Sequence, residues 1–191
     1  MPGDQRGGDP NWSPDGSQLV FGLQPAEEAP GAGTLALKVV DLRTHKITKI
    51  PGSEELWSPR WSRDGRHILA MPRDGMGLML FDLKSQRWSS LGLPKMAVSF
   101  PEFSHHGDCI YFLGTPPESQ EGIFRVRLSD HKLELVLGLE NVRQATSSSW
   151  GPGLLRDVAW GAWKGLAPDD SPLLLRDAGT QEIYALDVDF P

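Results

Sequence analysis

Apolar and polar residues in this chain alternate between short strand-like runs and dense turn signals. The runs "QLVFGL" (18–23), "HILAM" (67–71) and "CIYFL" (109–113) are almost continuously apolar. Such runs mark strands covered on both faces rather than strands with one wet side. Each run is preceded by the same phrase: "PNWSPDG" from Pro10, "PRWSRDG" from Pro59 and "PEFSHHG" from Pro101, with starts 49 and 42 residues apart. In this phrase proline presets a turn dihedral, aspartate bonds local amides and glycine takes the left-handed conformation, so the phrase predicts a hairpin. A second phrase recurs downstream in the same order: "LALKVVDL" (35–42), "GLMLFDL" (77–83) and "GIFRVRL" (122–128). Weaker runs, "KITKI" (46–50) and "KLELVL" (132–137), supply a fourth strand.

A looser fourth copy closes the chain, with "AWKGLAPDDSPLLLRD" (162–177) followed by "EIYALDV" (182–188). The repeat turns are then marked by Trp12, Pro14, Asp15 and Gly16, by Trp61, Asp64 and Gly65, by Phe103 and Gly107, and by Trp163, Asp169 and Asp170. Repeats of ~40–50 residues with four strands, the inner ones hidden on both faces, describe the blades of an all-β propeller. The expected boundaries are 8–52, 53–95, 96–140 and 141–191, forming one propeller segment. Loops between second and third strands vary, and the insertion "QPAEEAPGAG" (24–33) accounts for the longer first period. Residues 138–161 are the least regular and read as a loop plus the first strand of blade four. Helix signals are nearly absent. The last blade lacks an outermost strand, so we expect either part of a larger propeller or an unclosed ring whose blade edges invite self-association.

Composition narrows the function classes. Net charge is −6, which argues against direct nucleic-acid binding, because phosphate neutralisation needs a basic patch. Cys109 is the one cysteine, so no intrachain disulfide framework exists. No apolar run approaches the ~20 residues of a membrane span, and "MPGDQRGGDPNW" has no apolar signal-peptide core. Motifs for a nucleophile elbow, a zinc protease helix, a P-loop and a dinucleotide loop are missing, and no catalytic, cofactor or metal set is assigned. His105, His106, Asp108 and Cys109 crowd together, yet 108 and 109 project to opposite faces of a strand, so the histidines read as turn decoration. Cys109 reads as a packed thiol and Asp169-Asp170 as an elaborated blade turn. Asp41, Asp82 and Asp187 read as turn caps after third strands. The repeat-position aromatics read as inter-blade packing, whereas Trp57, Trp88, Trp150 and Trp160 have no repeat role and are candidates for a face or channel mouth.

The phrase "WSPDG" before an apolar strand, followed by a strand of the "IYxxDL" kind, resembles the WD40-like repeats of TolB-type propellers. The tail "LAPDDSPLLLRDAGTQEIYALD" (166–187) resembles the end of acidobacterial regulators that join a winged-helix DNA-binding domain to a TolB-like propeller, usually through a membrane span. That resemblance implies a non-enzymatic interaction or sensing module on the periplasmic side of an anchored parent, or a cytoplasmic one if the chain is complete. Its partner would be a protein or small ligand on a propeller face or rim. The winged helix and span have no counterpart here, and the third copy replaces Pro-Asp with His105-His106. The competing readings are the accessory propeller of a prolyl-oligopeptidase-like hydrolase or receptor kinase, and a free TolB-like envelope scaffold.

Overall fold

The computed structural model of the chain describes residues 8–22, 35–140 and 163–174. The loop insertion, the irregular segment before blade four, Trp150, Trp160, Asp187 and the "EIYALDV" strand lie outside the described residues. Within them the chain is all-β, with no helix. Blade one pairs β1 (Gly8–Trp12), β2 (Gln18–Gly22), β3 (Lys38–Asp41) and β4 (Ile47–Lys49) in that order. Blade two does the same with β5 (Leu56–Trp61), β6 (His67–Pro72), β7 (Met79–Asp82) and β8 (Arg87–Ser90). Blade three contains β9 (Ala97–Phe103), β10 (Cys109–Thr115), β11 (Gly122–Arg127) and β12 (Leu133–Gly138). Of blade four, β13 (Trp163–Leu166) and β14 (Pro172–Leu174) are described. Every pairing is antiparallel between strands consecutive in sequence, the topology short turns enforce.

The stacking follows from a period of two along the second strands. In β10, Ile110 and Phe112 join a cluster with Leu69 and Met71 of blade two, while Tyr111 and Leu113 join Leu166 of blade four. In β6, Ile68 and Ala70 face Val20 and Leu37 of blade one, while Leu69 and Met71 face blade three. Alternate side chains of a strand leave by opposite faces, so each apolar run is shared between two seams. Burial is nearly complete: Ile68, Leu69, Ala70, Ile110 and Phe112 are each 0 % exposed. First strands of successive blades lie side by side, β1 against β5 and β5 against β9. Sheets stacked face to face around their first strands are propeller blades, and they do not close into a ring among the described residues.

The aromatic at the repeat position holds these seams, with one correction. Phe103 is 4 % exposed against blade two, and Trp61 packs on the cluster between blades one and two. Trp12 is instead 59 % exposed. Each of these rings leans on the blade before its own, and no described blade precedes blade one. Trp57 and Trp88, left without a repeat role by the sequence, pack beside the same clusters. Their indole N–H groups donate to the carbonyls of Pro72 at 3.0 Å and Pro51 at 2.9 Å.

Candidate binding site at the inner strands

Among the described residues the first strand of each blade pairs on one side only, and each carries a break in its register. Pairing breaks between Gly8 and Asn11, between Trp57 and Arg60, and opposite Tyr111 and Leu113 in β9. The residue at each break has a left-handed backbone: Asp9 at φ 48°, Ser58 at 51° and Phe100 at 50°. Pro10, Pro59 and Pro101 follow them. Proline cannot donate to a ladder, so a bulge on a strand edge is where it fits. Left-handed non-glycine residues cost of order 1 kcal/mol or more, so three in equivalent places mark a geometry the fold enforces. In blade four the register breaks between Trp163 and Gly165, and Gly165 (φ 112°) stands at the place of Asn11, Arg60 and Glu102.

The residue after each proline is Asn11, Arg60 and Glu102, and all three line one cleft of about 590 Å³. Trp12, Trp61 and Phe103 border it, and Arg63 reaches it from the blade-two turn. Asn11 Oδ1 accepts the Trp61 backbone N–H at 2.7 Å, tying blade one to blade two. Arg60 donates to Asp9 at 2.9 Å and to the Pro59 carbonyl at 2.8 Å, while the Ser58 hydroxyl donates to Asp9 at 2.6 Å. Glu102 is half-buried, and desolvation pushes its carboxyl above the ordinary range although Arg60, His105 and Arg63 pull it down. Arg63 is exposed and makes no ion pair within 4 Å among the described residues. The cleft therefore presents a held guanidinium, a free one and a carboxyl with a raised pKa beside aromatic walls. That combination suits an anionic or hydrogen-bonding group carried on an apolar segment.

The turns rim this cleft and share one network. Ser13 Oγ donates to Asp15 at 2.6 Å and accepts the Gln18 N–H at 2.9 Å, and Ser62 does the same with Asp64 (2.6 Å) and His67 (2.8 Å). These bonds hold the Asp15 and Asp64 carboxyls below the ordinary carboxylate range, with the serine hydroxyl the leading cause. In blade three the turn keeps its serine–aspartate pair, because Asp108, one position beyond Gly107, accepts from Ser104 at 2.9 Å. In blade four the turn bonds set the register: Asp170 N–H reaches the Ala167 carbonyl as Gly16, Gly65 and Gly107 reach Ser13, Ser62 and Ser104. Leu166, not Trp163, thus occupies the aromatic's place, and the Trp163 alignment is off by three residues. Leu166 is 8 % exposed in the blade three–four seam, so an aliphatic residue fills the slot.

The two departures from the repeat meet each other. Asp170 (φ 63°) stands where three blades have glycine, and His105 stands where the first blade has Pro14. Asp170 Oδ1 accepts the His105 backbone N–H at 2.6 Å and lies 2.9 Å from its Nδ1. In the first seam the equivalent neighbours are Pro14 and Gly65. Burial pushes the Asp170 carboxyl up, but the two His105 contacts outweigh it and leave the group below its ordinary range. His106 is exposed, and among the described residues no three His, Cys, Asp or Glu side chains gather as metal ligands. Cys109 is buried and its thiol is pushed up, chiefly by desolvation, which keeps it protonated and poorly nucleophilic. Asp41 accepts the Arg43 and Thr44 N–H groups, and Asp82 accepts those of Lys84 and Ser85.

The sequence could have pointed to the cleft through one signal. In the phrase Pro-x-aromatic the middle position varies as Asn11, Arg60 and Glu102 while its neighbours repeat. A variable polar residue inside a constant structural phrase is where a repeat protein adapts its surface.

The sequence matches no protein-family model, and no curated protein matches it. Solved structures do share its fold. TolB from Acinetobacter baumannii superposes with a TM-score of 0.58 at 17 % identity, over 71 % of this chain and 33 % of that one. The putative TolB from Agrobacterium tumefaciens gives 0.57 at 16 %, over 71 % and 51 %. A prolyl endopeptidase gives 0.52 at 15 %, over 70 % of this chain and 22 % of that one. The chain thus has a TolB-like β-propeller fold and spans a third to a half of the TolB structures it matches. At these identities the likeness concerns the fold.

Proposed function

We propose that this chain is a non-enzymatic recognition module, part of a TolB-like propeller, that holds a protein segment or small ligand in the cleft at its inner strands. The observation that carries this reading is the convergence of Asn11, Arg60 and Glu102 from three blades on one cleft beside exposed Arg63. Three bulged, proline-fixed strands hold those positions, so little order need be gained on binding. The ligand class that fits is a carboxylate-bearing, apolar segment, with its charge on Arg63 and its body against Trp61. The tail at 166–187 supports a winged-helix regulator as the parent, with the propeller on the periplasmic side receiving the signal.

A pool of short acidic peptides containing Phe or Leu, titrated while following tryptophan emission, tests the reading. Binding should weaken about tenfold or more in Arg63→Glu, since charge reversal removes a charge-assisted bond and adds repulsion. Peptide affinity unchanged by Arg63→Glu and by Glu102→Gln would exclude the cleft. A second reading, the accessory propeller of a hydrolase, rests on the likeness to the prolyl endopeptidase. Reading the genomic segment that adjoins the coding sequence separates these parents: a winged-helix or a hydrolase domain selects one.

A further inference from the structure

The cleft at the inner strands holds two opposite charges that the protein leaves open. Among the described residues no hydrogen bond or ion pair reaches the Glu102 carboxyl, which feels only desolvation and the fields of nearby charges. Arg63 likewise makes no ion pair within 4 Å there. Arg60 differs, because Asp9 and the Pro59 carbonyl already occupy its guanidinium. The Arg60–Asp9 pair is neutral as a unit, so the lining carries one open cation and one open anion. The open carboxyl also has a built place. A Cβ at Gly165, the matching position of blade four, would come within 3.0 Å of Glu102 Oε2, so the glycine makes room for it. Glu102 thus lies against the backbone of blade four without a donor to hold it there.

Each kind of ligand charge can be weighed against that lining. An anion satisfies Arg63 but leaves the half-buried Glu102 carboxylate unpaired and brings a like charge near it. A cation satisfies Glu102 and does the same to Arg63. A half-buried charge without a partner is costly, so a ligand with separated positive and negative ends fits best. We propose that the cleft takes a small zwitterion of the dipeptide kind, with its ammonium on Glu102, its carboxylate on Arg63 and an apolar side chain against Trp61. A cavity of about 590 Å³ falls in the range of small-ligand sites, ~300–1,000 Å³. The proposal rests on the reading that the cleft binds a ligand, and adds the second charge which that reading leaves open. The charged groups facing Glu102 are Arg60 and Arg63 from blade two, His105 from its own blade's turn and Asp170 from blade four. The carboxyl must be ionised to hold an ammonium. Because burial raises its pKa, acid should release the ligand at a higher pH than an ordinary carboxylate would.

Calorimetric titration of the full chain with leucyl-phenylalanine, its N-acetylated form and its C-amidated form tests this. The free dipeptide should bind at least about tenfold more tightly than either capped form, since each cap removes one charge-assisted bond. Glu102→Gln should erase the difference between free and acetylated dipeptide while keeping that between free and amidated. Arg63→Gln should do the opposite. These contrasts compare ligands on one protein, so a loss of folded protein cannot mimic them. Affinity for the free dipeptide should also fall as pH drops from neutral toward about 4. An acetylated dipeptide that binds as tightly as the free one, and more tightly in acid, overturns the proposal. Glu102 then takes a proton in place of an ammonium, and the cleft stands as a carboxylate site. If none of the three forms binds while the acidic peptides do, the zwitterion alone is overturned. If neither set binds, the cleft is no binding site and both readings fall.

Discussion

At the residue scale, the turn serine is the least conspicuous part of the repeat and a central one. Ser62 is 4 % exposed, and its hydroxyl joins Asp64 to the first amide of β6. Ser62→Ala leaves that part-buried N–H without its partner and should cost about 1–2 kcal/mol in urea unfolding. A loss within about 0.3 kcal/mol, the scale of a neutral surface change, would mean the network has no structural weight. The His105–Asp170 pair makes a prediction about pH. Asp170 has a folded-state pKa below its ordinary value, so its contribution is complete above that value and is lost as pH falls through the depressed one. Asp170→Gly relieves the left-handed backbone but removes the His105 contact, so its stability relative to wild type should improve as pH drops below about 4. Equal pH slopes for the two proteins would show the pair to be uncoupled from folding. Glu102 acts in the opposite sense, since burial favours its protonated form and stability gained there grows toward acid.

At the scale of elements, the blade hairpins were legible because their turn chemistry is local. Pro-Asp-Gly and the apolar run after it specify a turn and a strand from adjacent residues, and β6 and β10 fall on "HILAM" and "CIYFL". What the sequence misplaced depends on neighbours it does not encode nearby. Trp12 matches Trp61 letter for letter, but its burial depends on a preceding blade. Trp163 aligns by residue type, yet the backbone bonds at Ala167 set the register three residues later. The bulges at Asp9, Ser58 and Phe100 were illegible because non-glycine residues carry them, so no glycine announces a left-handed dihedral. Phe81, 1 % exposed with its ring centroid 4.9 Å from that of Trp88, tests how tightly a seam is packed. Phe81→Ala should lower the unfolding free energy by about 3–5 kcal/mol, and a loss under about 1 kcal/mol would mean the blades collapse onto the cavity.

At the scale of the molecule, stability and recognition share one arrangement. Among the described residues each apolar cluster joins blades adjacent in sequence, so the seams act as a series of nearest-neighbour interfaces. The strands whose apolar residues make those seams also set the first strands side by side, which brings Asn11, Arg60 and Glu102 together across about ninety positions of sequence. The variable position after each repeat proline was the cleft's one trace in the sequence, since no single motif contains it and it exists only once three copies of one phrase are stacked. The central claim is that alternate residues of a second strand belong to opposite seams. A pair of double-mutant cycles measures it most directly, coupling Leu69→Ala first with Phe112→Ala and then with Leu113→Ala. Leu69 should couple to Phe112, its partner in one cluster, by about 0.5–3 kcal/mol and to Leu113 by less than about 0.5 kcal/mol. Coupling to Leu113 in place of Phe112, or to neither, would contradict the stacked-blade architecture.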